Sequence, residues 1–258
     1  MSKAGALGRS WQLTWIDRRR LRGYAIVLWL TSLASCLGAY RAALGPAGSD
    51  FLAFWSAGRL AGTGAAARVY DLAATGAVQS ALGHHGVFAY VNPPPLLLLL
   101  VPFGRLGYPL AWIAWVGLTY LAWLAASLRR DPGLAWPIAA FPGALVSAWH
   151  AQTGLLTGAL LAGAANLLQR RPLLAGACMG ALVIKPHLAL LLPVALVAGG
   201  YWRAFWAAVG TVVLALALAA AVFGFGVIAH YPDSWRVSRY LIETGGADFY
   251  LRQCTVYA

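Results

Sequence analysis

Three apolar runs limit what this chain can fold into: YAIVLWLTSLASCLGAY (24–40), PLAWIAWVGLTYLAWLAASL (109–128) and FWAAVGTVVLALALAAAVFGFGVIA (205–229). A helix needs about 20 apolar residues, at about 1.5 Å each, to cross roughly 30 Å of hydrocarbon. The runs are close to that length or exceed it, and the shorter apolar stretches between them have too few charges for a water-soluble domain. Of the 258 residues, 61% are hydrophobic and 10% charged. The chain therefore reads as an all-α, polytopic transmembrane protein of about 7–8 membrane segments.

The net charge of +12 does not point to nucleic acid, because the basic residues form short clusters between apolar runs and not a stripe interleaved with aromatics. They read as topology signals. RRRLR (18–22), RR (129–130), QRR (169–171) and Arg203 would all face the cytoplasm under the positive-inside rule. Tryptophans near run ends suit the aromatic belts at the two interfaces. Cys36, Cys178 and Cys254 lack metal-ligand spacing and read as small buried hydrophobes. LASC (33–36) has the look of a lipoprotein cleavage box, but the apolar segments that follow favour an uncleaved first helix.

These clusters define a path. Residues 1–22 form a basic cytoplasmic arm, and a first helix over 23–43 runs outward. Residues 44–91 make an extracytoplasmic loop with amphipathic helices along the outer face, offering Phe51, Phe54, Trp55 and Ala57 near 3.6 spacing. NPPPLLLLLVPFGRL (92–106) starts with prolines suited to a first helical turn; it is short, and charge parity requires one non-crossing segment here, so it dips or re-enters. Beyond it, 134–149 runs outward, 154–168 inward, 173–184 outward, 188–200 inward and 206–229 outward, leaving residues 230–258 as an extracytoplasmic tail. The two short segments flanking KPH (185–187) read as a broken or tilted pair, a form tolerated where backbone lines a cavity or is buried in protein. On this path Asp50, Asp71, Gln152, Lys185, His187, Asp233 and Glu243 share one face. Gly and Ala in LLTGALLAGAA and LLAGACMGALV would allow close helix approach.

Seven acids occur in the chain, and Asp50 stands directly behind a spanning helix and ahead of an aromatic-rich segment. Ser49–Asp50 before an apolar periodic stretch is a good helix start, so an N-cap is one reading. A general base at the membrane surface is the other. Such a base must accept a proton near neutral pH, and apolar surroundings move carboxylates in that direction. One carboxylate suffices where the leaving group needs no acid, as when phosphate departs. A phosphate wants cations, and Lys185 in ALVIKPHLAL (181–190) is a costly charge in an apolar stretch, a functional hypothesis by default and otherwise a snorkelling anchor. His187 could donate to the same phosphate. His84 and His85 are adjacent, so their side chains point to different faces, and no metal site is expected.

GSDFLAFWSAGRLAGTGAAARVYD (48–71), VNPPPLLLLLVPFGRL (91–106), AQTGLLTGALLAGAANLLQRRPLLAG (151–176), ALVIKPHLALLLPVALVAGGYWRAF (181–205) and LIETGGADFYLRQCTVYA (241–258) together resemble glycosyltransferase family 87. Its members are similar to the GT-C-fold, polyprenyl-phosphate-mannose-dependent mannosyltransferases. The resemblance implies a GT-C-like membrane enzyme of the bacterial plasma membrane, without cofactor or metal. It would move a sugar, mannose by analogy, from a polyprenyl-phosphate donor to a hydroxyl of a lipid or glycan acceptor on the extracytoplasmic face, inverting the anomeric carbon. The first-loop acid of the family matches Asp50, its Lys-Pro position Lys185, and its glutamine Gln152. Arg59 and His187 would join Lys185 at the donor phosphate, and Asp71 and Trp55 would line the substrate. The chain departs from the family pattern in reading Lys-Pro-His for Lys-Pro-Gln and VNPPP for Tyr-Pro-Pro. Family members are generally longer, with further membrane helices, so a truncated non-catalytic form is one alternative. A transporter or flippase is another, and would need midplane charges and two related halves.

Overall fold

The computed structural model describes residues 17–46, 48–128 and 132–244. Most of the basic arm, Arg129, Arg130, Asp131 and the tail beyond Thr244, with Asp248 and Cys254, lie outside the described residues. Those described form α1 (Arg18–Leu44), α2 (Phe51–Gly62), α3 (Leu72–Ser80), α4 (Pro95–Arg105), α5 (Tyr108–Ser127), α6 (Ala135–Ala139), α7 (Pro142–Trp149), α8 (Gly154–Leu167), α9 (Pro172–Gly180), α10 (Leu192–Ala198), α11 (Trp202–Phe223), α12 (Phe225–Ala229) and α13 (Asp233–Thr244). No strand occurs among them.

Helix α1 starts where the Asp17 carboxylate accepts the Arg20 N–H at 2.7 Å, and α4, α5, α7 and α9 each start with a proline in the first turn, where its missing N–H has no helical partner to lose. Three helices, α1, α5 and α11, are long and apolar enough to cross a membrane. Shorter apolar helical stretches are Pro95–Arg105, Ala135–Trp149, Gly154–Leu167, Pro172–Ile184 and Pro186–Ala198. Leu30, Leu33, Val213, Leu214 and Val222 point outward from the long helices, which suits lipid and not water.

Cross-helix contacts fix the running directions. Tyr40 lies against Trp112 at 5.3 Å while Trp29 Nε1 donates to the Tyr120 hydroxyl at 3.0 Å, so α1 and α5 are antiparallel. Residues 45–107 therefore leave and rejoin the bundle at one end. At 11 residues, α4 spans only about 16 Å, in keeping with the short, non-crossing element expected over 92–106. Helix α8 runs parallel to α5, with the Trp115 indole on the Ala151 carbonyl at 3.0 Å and the Asn166 amide on the Ala126 carbonyl at 2.7 Å. Helices α9 and α11 are also parallel. A Cβ at Gly176 would meet the Ala204 carbonyl, and one at Gly180 the Ala208 carbonyl, so the small residues do permit the backbone approach that drives association in lipid. Tyr70 faces Tyr231 at 5.9 Å, so α11 ends near the loop that follows α2.

Two local expectations change. Helix α2 does not lie along a surface: ten of its residues, from Phe51 to Ser56 and including Ala57, Gly58, Leu60 and Ala61, are buried. Apart from Arg59 and its small residues the segment is apolar all round, and such a helix is driven inside. It packs on α4, where a Cβ at Gly58 would meet the Leu100 carbonyl. Asp50 occupies the N-cap position of α2, but its side chain makes no capping hydrogen bond.

Candidate functional site

The Asp50 carboxylate is instead engaged across the bundle. Its Oδ2 accepts the Gln152 side-chain amide at 2.6 Å, joining residues 102 apart in sequence. Its other oxygen, Oδ1, has no hydrogen-bond partner among the described residues. Asp17, Asp71 and Asp233 each face an arginine or histidine; Asp50 faces no cation among the described residues. Hydrogen bonds to charged groups contribute about 1.5–3 kcal/mol, enough to hold one carboxylate rotamer.

Gln152 is presented by a strained turn. Ala151, between α7 and α8, has φ 48, the left-handed region that costs a non-glycine residue about 1–2 kcal/mol. Ala151 is buried, and its carbonyl is gripped by the Trp115 indole at 3.0 Å, while the Gln152 N–H donates to the Ser147 carbonyl at 3.0 Å. These contacts over-determine the turn. Ala151→Gly is accordingly expected to raise stability by up to about 1 kcal/mol, read as the thermal midpoint in detergent; a lower midpoint would mean that the turn carries no strain.

On the α2 side, Gly48, with φ +68, makes the turn that brings Ser49 and Asp50 onto the first turn of α5. Ser49 and Tyr108 share a hydroxyl hydrogen bond at 3.1 Å. Tyr108 is buried between Phe51 at 6.0 Å, Trp55 at 5.6 Å and His84 at 5.7 Å. The His84 ring is buried, and its Nδ1 has no hydrogen-bond partner among the described residues. Trp55 is buried too, its indole donating to the Leu106 carbonyl at 3.0 Å, and the exposed Arg59 guanidinium lies over its ring at 5.5 Å. Trp55, Arg59, Val78, Leu82 and Tyr108 line a largely apolar cavity of about 560 Å³.

Lys185 sits where two 3-10 turns meet, Ala181–Ile184 and Pro186–Leu188, as a broken segment should. It is half-buried and takes no carboxylate among the described residues. Ile184, the residue before it, shares a core cluster with Phe51 and Ala151, the neighbours of Asp50 and Gln152. Gly180 lies against Ala208 and Thr211 in the middle of α11, so Lys185, one 3-10 stretch further on, falls short of that helix's end. The cause is length: Pro172–Ile184 rises about 21 Å while α11 rises about 33 Å. Gln152 is recessed as well, beside Trp115 and about 10 Å below the start of α5.

Other candidates are placed elsewhere or otherwise engaged. His187 is exposed. Asp71 is exposed and caps α3, accepting the Ala73 N–H at 2.9 Å and the Arg68 guanidinium at 3.3 Å. Desolvation raises its carboxyl, but those partners lower it by more and leave it below the ordinary aspartate value. Asp233 pairs with His230 at 3.0 Å and Arg236 at 3.1 Å. Tyr108, Ser49, His84 and the Trp115–Ala151 clasp are members of the site that the sequence did not announce; only the Gly107–Tyr108–Pro109 helix start marks the tyrosine.

A helical bundle with three helices long and apolar enough to cross a membrane, and with a carboxylate anchored by an amide from a distant segment, has the make-up of a membrane protein. The family model of glycosyltransferase family 87 matches residues 90–249, more than half the chain, and the chain belongs to that family. The matched span takes in Tyr108, Gln152, Lys185 and His187; Asp50, Trp55, Arg59 and Asp71 precede it. No curated protein and no solved structure matches the chain.

Proposed function

We propose that this glycosyltransferase is of GT-C type and transfers a sugar, mannose in the first instance, from a polyprenyl-phosphate donor to a hydroxyl of a lipid or glycan acceptor at the extracytoplasmic face of the bacterial plasma membrane, the apolar helical segments together making about 7–8 membrane segments. The observation that carries the reading is the bond between Asp50 and Gln152: an amide from a distant segment fixes one carboxylate oxygen and leaves the other for a proton. Asp50 Oδ1 takes the proton of the acceptor hydroxyl as that oxygen attacks the anomeric carbon. The bond from that carbon to the donor phosphate breaks, polyprenyl phosphate departs as an anion, and the anomeric configuration inverts. No general acid is needed, because the phosphate leaves without being protonated.

Cations supply the rest. Lys185, without a carboxylate partner among the described residues, holds the donor phosphate by charge-assisted hydrogen bonds, and the exposed Arg59 and His187 are further donors that the bound lipid phosphate would have to recruit. Trp55 forms part of the cavity wall, and its ring orients Arg59. Asp71 serves the site indirectly by starting α3, which forms one wall of the cavity beside Arg59. Lys185→Gln is expected to raise KM for the lipid-phosphate donor by about tenfold to a hundredfold, with a smaller effect on kcat. An unchanged KM, measured with the purified chain and defined donor, would remove Lys185 from the phosphate site.

A further inference from the structure

A second cavity, of about 450 Å³, lies at the other end of the bundle and is lined by Arg171, Pro172, Leu173, Leu174 and Arg203. It belongs to the end where α5 and α8 finish, since Asn166 bonds the Ala126 carbonyl there, and so stands apart from the Asp50 site. Arg171 immediately precedes α9 and Arg203 lies in the first turn of α11. Because these helices pack in parallel through Gly176 and Gly180, their positive N-terminal ends lie side by side and add to the two guanidiniums. Neither arginine has a carboxylate partner among the described residues. The Gln169 amide donates to the Tyr201 hydroxyl at 2.6 Å and ties the loop before α9 to the residue before α11, so the two charges are held to one cavity.

The rim is apolar and exposed. Leu173 is 62% exposed and Leu174 49%, while Trp202 and Trp206 project from the first turns of α11 at 52% and 64%, placed as aromatic residues are at a membrane interface. A free anion would use the arginines and leave this rim idle; a glycerophospholipid would use both. We propose that this cavity binds an anionic glycerophospholipid, its phosphodiester between Arg171 and Arg203 and its acyl chains along Leu173 and Leu174. Zwitterionic lipids carry an ammonium that opposes two guanidiniums, so a lipid such as phosphatidylglycerol is preferred.

The test uses the full chain in detergent, titrated with phosphatidylglycerol, phosphatidylcholine or inorganic phosphate, with the thermal midpoint and the bound lipid seen by native mass spectrometry as readouts. Wild type is expected to rise in midpoint and retain lipid with phosphatidylglycerol alone. The R171Q/R203Q variant should bind it about tenfold or more weakly, and Leu173→Glu, which sets a carboxylate on the rim, should lose it as well. The R19Q/R22Q variant removes the same charge from the start of α1 and should bind as wild type does. Equal weakening in both double variants would overturn the proposal in favour of a diffuse basic surface. A full shift from inorganic phosphate would overturn it in favour of a soluble anion.

Discussion

Asp50→Asn is expected to lower sugar transfer by about 10²–10⁴-fold, the range lost when a positioned general base is removed, while leaving insertion and folding intact. The substitution is isosteric, and the asparagine side chain could still accept the Gln152 amide through its carbonyl oxygen, so the clasp across the bundle survives and only the proton acceptor is lost. The rate should fall through kcat, with donor KM nearly unchanged, because the carboxylate acts on the acceptor hydroxyl in the transition state and does not hold donor phosphate. The measurement is steady-state transfer by purified wild type and variant at equal folded amounts. A variant within about threefold of wild type would deny Asp50 the role of base.

The second large effect is structural. Gly58→Val is expected to cost about 3 kcal/mol or more and to remove most folded, detergent-extractable protein. A Cβ at Gly58 would run into the backbone carbonyl of Leu100, and on the facing helix one at Gly104 would run into the backbone of Gly58 and Arg59. Neither neighbour is a flexible side-chain end that could swing aside. Helices α2 and α4 would have to separate, and the Trp55 bond to the Leu106 carbonyl would be stretched with them. Wild-type yield and midpoint in the valine variant, measured by size-exclusion chromatography with thermal unfolding, would mean that the two helices are not in backbone contact.

The helices were largely legible before the structure, and the site only in part. Runs such as 109–128 and 205–229 announce themselves because lipid demands continuous apolar helix; α5 follows the first to within one residue, whereas the second, read as continuous to 229, ends as α11 at Phe223, where Gly224 at φ 79 breaks it and α12 begins. The prolines at 93–95 and the break at KPH were likewise readable, since proline acts locally. Asp50, Gln152 and Lys185 could be nominated from chemistry and family likeness, but no local rule brings residues 50 and 152 together; that contact depends on how α5 and α8 pack side by side. Ser49–Asp50 has the pattern of a cap, and a cap and a carboxylate aimed at a distant amide look the same in sequence. Ala151 hides its left-handed backbone because alanine normally avoids it and glycine would have signalled it. Burial of α2 was obscured by its position in a loop bearing Arg59, Arg68 and Asp71, although its own residues are apolar enough to be enclosed.

The proposed activity is that of a lipid-phosphate sugar transferase reacting at Asp50 and Gln152. Its most direct test offers membranes carrying the wild-type chain radiolabelled polyprenyl-phosphate mannose in one arm and the corresponding nucleotide sugar in the other, with endogenous acceptor present and further conversion of the nucleotide sugar blocked. Labelled product from the polyprenyl-phosphate donor alone is the predicted result. Product from the nucleotide sugar alone, or none from either donor with the protein folded and inserted, would contradict it.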